Sequence, residues 1–256
     1  MPDNENNTYE MVLKSATTFP LVRINRDIFL RKELSKFCPD WQVEKAVAHN
    51  PAYAGISKNI ISGIAWDCIN METTNVTALS IVAGLPGGLF MIGTIPADLA
   101  QYYGHVLRIL QKLVYLYGWH ELFEDGEKLD DGTNNLLTLF LGIMFGVEGA
   151  GSAIAKIAEA AGQKTAKDLV NKALTKGIIY PIVKKIATRL GQQMTKEIYA
   201  KGIGKIIPFL GGVVSGTITF ITYRPMAIVL KKHLSKLNIA DPSFYKSSEG
   251  DTQIIE

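Results

Sequence analysis

Three long stretches of this chain carry no charge, and two of them are interrupted by proline and glycine. Glu72 and Asp98 bound the first, Thr133 to Val147 is the second, and Ile206 to Tyr223 is the third. Such runs must be hidden from water, either in a bilayer or in a protein core. A helix that crosses the hydrocarbon needs about 20 mostly apolar residues, and only the first run is comfortably that long. Leu85-Pro86-Gly87-Gly88 sits in its middle, where proline removes a helix donor and clashes with the preceding turn. The third run is similarly marked by Pro208, Gly211 and Gly212. Broken helices lie at membrane depth only where other protein covers their backbone. The runs are therefore read as buried helices joined by turns within a helical core; insertion of the glycine hairpins into a bilayer is the alternative.

The remaining composition fits a folded chain. Of 256 residues, 47% are apolar and 20% charged, which excludes disorder and leaves ample material for a core. A formal net charge of +3 is too small to indicate nucleic acid. Two cysteines, Cys38 and Cys68, cannot staple a secreted scaffold and suit a reducing compartment. Met1 to Glu10 holds Asp3, Glu5 and Glu10 without a lysine or arginine, unlike a secretory signal, so a cytoplasmic location is expected.

Helical spacing dominates the chain, and no stretch alternates like a strand. Leu21, Ile24 and Ile28, then Leu30, Leu34 and Phe37, recur every three or four residues among Arg23, Arg26, Asp27, Arg31, Lys32 and Glu33. This predicts an amphipathic segment with a charged outside. A further helix starts near Trp41 and ends at Asn50-Pro51, and Ile56 to Asn70 resumes the pattern. Thr94 as N-cap, Pro96 in the first turn and Asp98 near the positive dipole end predict a helix to about Tyr117, closed by Gly118. Between Leu136 and Ala161 small residues take over, with Gly142, Gly146, Gly149 and Gly151, and Gly212 and Gly216 repeat the spacing; small side chains let helices approach closely. The reading is all-α: a single compact multi-helix domain of about eight to ten helices, with glycine-rich buried helices and a basic amphipathic helix. Residues 1–18 are expected as an N-terminal extension, 19–240 as the helical domain, and 241–256 as a disordered tail.

Two constellations are candidates for function. On the helix predicted after Thr94, Asp98, Gln101, His105, Arg108 and Lys112 form one polar stripe on an apolar, aromatic cylinder, expected as a wet or functional edge. Asp98 and His105 lie two turns apart with Tyr102 between them, so a carboxylate could orient an imidazole as a general base. The plainer reading has Asp98 completing the helix start and His105 and Arg108 hydrogen-bonded or solvated. A small-molecule or lipid pocket here would be lined by Pro86, Gly87, Gly88, Asp98, Tyr102, His105 and Arg108. The second constellation is a basic face, Lys164, Lys167, Lys172, Lys176, Lys184, Lys185 and Arg189, opposite the apolar rhythm from Ala166 to Leu190, with Pro181 expected to kink the helix. It suits a solvated face or contact with an anionic membrane. Base-stacking aromatics are nearly absent beside it, so no nucleic-acid partner is expected.

Other chemistry finds no support. Gly162-Gln163-Lys164-Thr165 lacks the preceding glycine of a phosphate loop, and Gly149-Ala150-Gly151 lacks the third glycine of a dinucleotide turn. His49, His105, His120 and His233 show no metal-ligand spacing, and no nucleophile elbow is present. No metal, no cofactor and no catalytic residue is assigned.

Ala83-Gly84-Leu85-Pro86-Gly87-Gly88, then Ile95-Pro96-Ala97-Asp98-Leu99, then Tyr115-Leu116-Tyr117-Gly118-Trp119 resemble motifs of the EcsC family, as does Ile207-Pro208-Phe209-Leu210-Gly211-Gly212 followed by Val213 to Gly216. The resemblance covers roughly 19–237. It implies a bacterial, helical protein without established catalysis, related to one encoded beside an ABC transporter. The expectation is a non-enzymatic accessory protein, cytoplasmic and peripheral at the inner membrane. It would dock through its basic helix face on an anionic inner leaflet or a membrane transporter; a ligand-binding helical domain is the alternative.

Overall fold

The helical periodicity of the sequence carries through to the molecule. A computed structural model describes residues 2–18, 22–83, 91–92, 95–123, 131–163, 179–203 and 211–250. Among these, ten α-helices, one 3-10 turn and a pair of two-residue strands are formed. In chain order they are α1 (Pro2–Thr18), α2 (Arg26–Leu34), α3 (Asp40–Ala48), α4 (Lys58–Ala83), β1 (Met91–Ile92), β2 (Ile95–Pro96), α5 (Ala97–Leu116), α6 (Asp131–Met144), α7 (Ala150–Gln163), α8 (Ile179–Ile203), α9 (Gly211–Leu234), the 3-10 turn (Asn238–Ala240) and α10 (Pro242–Gly250). The strands are antiparallel, with Met91 opposite Pro96 and Ile92 opposite Ile95. The domain is all-α. Among the described residues no helix is long and apolar enough to cross a membrane.

Two helices form the interior. Every residue of α6 from Leu136 to Met144 is buried, as an apolar run without a polar side requires. In α5 and the turn after it, every residue from Ile109 to Trp119 is buried. Helices α1, α2, α4 and α9 surround α5, while α7, α8 and α9 pack on α6. At Gly142 a Cβ would lie 2.5 Å from Cδ1 of Ile186 on α8 and 3.0 Å from Cβ of Ala150. The missing side chain lets α6 and α8 come together, as the small-residue spacing predicts.

Gly118 ends α5 as expected, at φ +99°. Its N–H donates to Tyr115 O at 3.3 Å and Trp119 N–H to Val114 O at 3.0 Å, the paired bonds of a Schellman closure. The same residue abuts the 3-10 turn, where a Cβ would meet Ile239 O at 2.7 Å.

Several expectations are corrected. Of the stretch expected as an N-terminal extension, residues 2–18 form α1, whose Tyr9, Val12, Leu13 and Ala16 are buried in the common core. Thr138 Oγ1 donates to Asn134 O at 2.7 Å, so the Tyr9 hydroxyl donates to Thr138 Oγ1, also at 2.7 Å, and fixes α1 on α6. The tail is helical over α10, and Asn50 Nδ2 donates to the Tyr245 hydroxyl at 3.0 Å. Pro96 lies in β2 and not in a first helical turn. Pro181 is the third residue of α8. Ile28, placed on the apolar side of α2, is 68% exposed, whereas Arg26 is buried.

Arg26 is buried because its guanidinium is surrounded by main-chain carbonyls. Nε donates to Trp119 O at 3.1 Å, Nη1 to Val47 O at 2.8 Å, and Nη2 to Ala46 O at 3.3 Å and His49 O at 2.7 Å. A cation at the C-terminal carbonyls of α3 also complements the helix dipole. The Glu121 carboxylate accepts from Arg26 N–H at 2.7 Å and from the Tyr115 hydroxyl.

Replacing Gly118 by alanine forces an L side chain into a left-handed conformation and drives its Cβ into Ile239 O. We expect Gly118→Ala to lose about 1–3 kcal/mol, read as a lower urea midpoint at unchanged slope.

Candidate functional site

Helix α4 buries Ile61, Ile64, Ala65, Cys68 and Ile69 at helical spacing. Glu72 continues that stripe one turn beyond Cys68, so its carboxylate enters the core and is 1% exposed. A charge in such a place must be paired or neutralised. Helix α5 pairs it threefold. Lys112 Nζ donates to Glu72 Oε1 at 2.7 Å and Arg108 Nε donates to the same oxygen at 3.3 Å. His105 Nδ1 lies 3.3 Å from Oε2. An ionised carboxylate can only accept, so Nδ1 carries the proton.

The balance of forces on Glu72 has a clear direction. Burial pushes the carboxyl upward. The hydrogen bonds from His105 and Lys112, with the charges of Lys112 and Arg108, outweigh burial and bring it down to about 2. The cluster reaches α9 as well, since the buried Tyr223 hydroxyl donates to the main-chain O of His105 at 3.1 Å. Beside it, the Tyr102 hydroxyl lies 3.4 Å from Thr222 Oγ1, and its ring meets those of Tyr103 and Tyr223 edge-on.

The polar stripe of α5 thus exists, but its lower half is not wet. His105 and Arg108 are partly buried, Lys112 is buried, and all three turn inward to Glu72. Of the two readings of this edge, solvated or hydrogen-bonded, His105 and Arg108 take the second: one buried acid outweighs the outward preference of three bases. Of the proposed pocket residues, Tyr102, His105 and Arg108 lie together where α5 meets α4 and α9. Pro86, Gly87 and Gly88 lie outside the described residues, and only the backbone of Asp98 is described, at the start of α5. The described partner of His105 is Glu72.

Chemically the cluster is a holding device. A carboxylate held near 2 is a poor proton acceptor at neutral pH, and the imidazole nitrogen facing it is a committed donor. Among the described residues, no three His, Cys, Asp or Glu side chains gather as a metal site. The sequence pattern assigns Glu72 no role beyond the border of an uncharged run. Its signal was its position, an acid in phase with buried Ile61, Ala65 and Cys68, and facing a helix with bases at matching spacing.

Of the basic face, Lys184, Lys185 and Arg189 are exposed on α8, while Lys164, Lys167, Lys172 and Lys176 lie outside the described residues. Lys185 Nζ approaches Glu148 Oε2 at 3.6 Å, with both side chains largely solvated. The chain matches no family model, and comparison with curated proteins and with solved structures finds no match.

Replacing Glu72 by glutamine leaves Lys112 and Arg108 without a counter-charge, and we expect Glu72→Gln to cost about 3–5 kcal/mol in urea unfolding. The sign with pH follows from the lowered pKa. Stability supplied by ionised Glu72 is complete above the unfolded value of 4.5 and is lost as pH falls through about 2. Acidification should therefore erode the wild type more than Glu72→Gln, narrowing the gap between their unfolding free energies.

Proposed function

We propose that this protein is a non-enzymatic accessory protein, peripheral at the cytoplasmic face of the inner membrane, that docks on anionic lipid through the cationic face of α8. The observation that carries the reading is the split of that helix. Ile186, Leu190 and Met194 are fully buried on one side, while Lys184, Lys185 and Arg189 are exposed on the other. Tyr180, one turn before Lys184, is 64% exposed. An exposed tyrosine beside lysines suits the boundary between headgroups and water, where amphipathic rings collect. Each basic group near an anionic leaflet contributes about 1 kcal/mol, so three on one face make a useful, salt-sensitive contact.

The inward commitment of His105, Arg108 and Lys112 also supports a non-enzymatic role, because it ties up the bases that a catalytic stripe would need. The resemblance to the EcsC family extends the proposal to a partner, an ABC transporter in the same membrane, with α8 meeting either the leaflet or the transporter's acidic rim.

Sedimentation with vesicles tests the reading. Binding to phosphatidylglycerol vesicles should exceed binding to phosphatidylcholine and weaken as salt rises. Lys184→Glu/Lys185→Glu should reduce it by more than about tenfold. Binding that ignores both salt and charge reversal would overturn electrostatic docking.

A further inference from the structure

A second arrangement lies on the seam between α4 and α9, independent of α8. Ser62, Trp66 and Asn70 follow one another at four-residue spacing along α4 and share one stripe. Facing them on α9 are Arg224 and Lys231, two helical turns apart. Lys231 Nζ donates to Ser62 Oγ at 2.8 Å, and Arg224 Nη2 donates to Asn70 Oδ1 at 3.3 Å. The Trp66 indole lies between the two cations. The Lys231 ammonium is 4.9 Å and the Arg224 guanidinium 5.7 Å from the ring centroid.

Every partner in this ladder is uncharged. Among the described residues neither Arg224 nor Lys231 forms an ion pair, in contrast to Arg108 and Lys112 of α5, which meet Glu72 of α4. The ring and the amide and hydroxyl oxygens orient the cations without neutralising them. Desolvation already lowers the proton affinity of Lys231, so an arriving anion would relieve an existing penalty. Trp66 remains 36% exposed between the two cations.

The geometry points to this seam as a binding surface for anionic phospholipid, with headgroup phosphates on Arg224 and Lys231 and the Trp66 indole in the headgroup layer. A free phosphate would answer the two cations and leave the indole unrewarded. A bilayer surface answers both, since indoles favour the interfacial layer and basic groups favour its anions. This surface goes beyond the α8 contact and stands or falls separately from it.

The test reads Trp66 directly. Full-length protein carrying Trp41→Phe, which removes the other exposed indole, is titrated with phosphatidylglycerol vesicles, phosphatidylcholine vesicles or inorganic phosphate while tryptophan emission is recorded. Trp119 stays buried and contributes a constant background. A blue shift with phosphatidylglycerol alone is expected, and it should vanish when Trp66→Phe is added. Arg224→Gln/Lys231→Gln should weaken the titration about thirtyfold, whereas the charge-preserving Arg224→Lys/Lys231→Arg should keep it. Lys184→Glu/Lys185→Glu should leave the blue shift at saturating vesicles in place, which separates this surface from docking by α8. No shift, a shift indifferent to Arg224→Gln/Lys231→Gln, loss in the charge-preserving variant, or the same shift with inorganic phosphate would each overturn the proposal.

Discussion

The carboxylate of Glu72, sealed between α4 and α5, is the interaction to which the centre of this protein is keyed. Lys112, Arg108 and His105 span two turns of α5, and together they meet one carboxylate. Sliding α4 by a turn against α5 would strand those bases against an apolar stripe. Buried ion pairs of this kind contribute little net stability compared with a well-packed apolar contact; their strength lies in the penalty for any arrangement that leaves a member unpaired. Tyr223 extends the register to α9 by donating to the main-chain oxygen of His105. Three helices are therefore aligned over two turns of α5.

How much of this could be read in the sequence depends on what kind of signal each part leaves. The interior helix α6 was legible because a run without charge leaves its helix no polar side. The end of α5 was legible because glycine at 118 meets a backbone demand that other residues resist. The polar stripe of α5 was legible as a stripe, but its direction was not, since that depends on a partner forty residues away. The packing of α1 was faint in the sequence for a related reason: acids and asparagines at Asp3, Asn4, Glu5, Asn6 and Asn7 dominate its start, while its burial comes from Tyr9, Val12 and Ala16 farther along. Arg26 and Ile28 exchanged their expected places because carbonyls at the end of α3 outbid water for a guanidinium, and α2, too short for one clean face, leaves an isoleucine outside.

The cations of the protein fall into two kinds. Arg108, Lys112 and Arg31 face carboxylates within the fold, and Arg31 forms a two-pronged contact with Glu44 at 2.8 Å on the outside of the α2–α3 hairpin. Lys184, Arg189, Arg224 and Lys231 form no ion pair among the described residues. With a net charge of only +3, the distribution of positive charge says more than its total. The unpaired cations sit beside an exposed aromatic ring in both places, Tyr180 on α8 and Trp66 on α4. Helices α8 and α9 both pack on α6, so the same apolar helix braces both faces.

The clasp formed by Arg26 has a consequence of another sort. It grips peptide oxygens at Ala46, Val47, His49 and Trp119, and no side chain at those positions takes part. Those four sites can change in evolution under packing rules alone, whereas position 26 admits only a planar, five-donor fork. An unchanging arginine, with no companion varying alongside it at those four positions and only the adjacent Asp27 carboxylate at 3.3 Å as a side-chain partner, is the pattern this joint would leave in descendants, and methods that look for correlated pairs across the joint would pass over it.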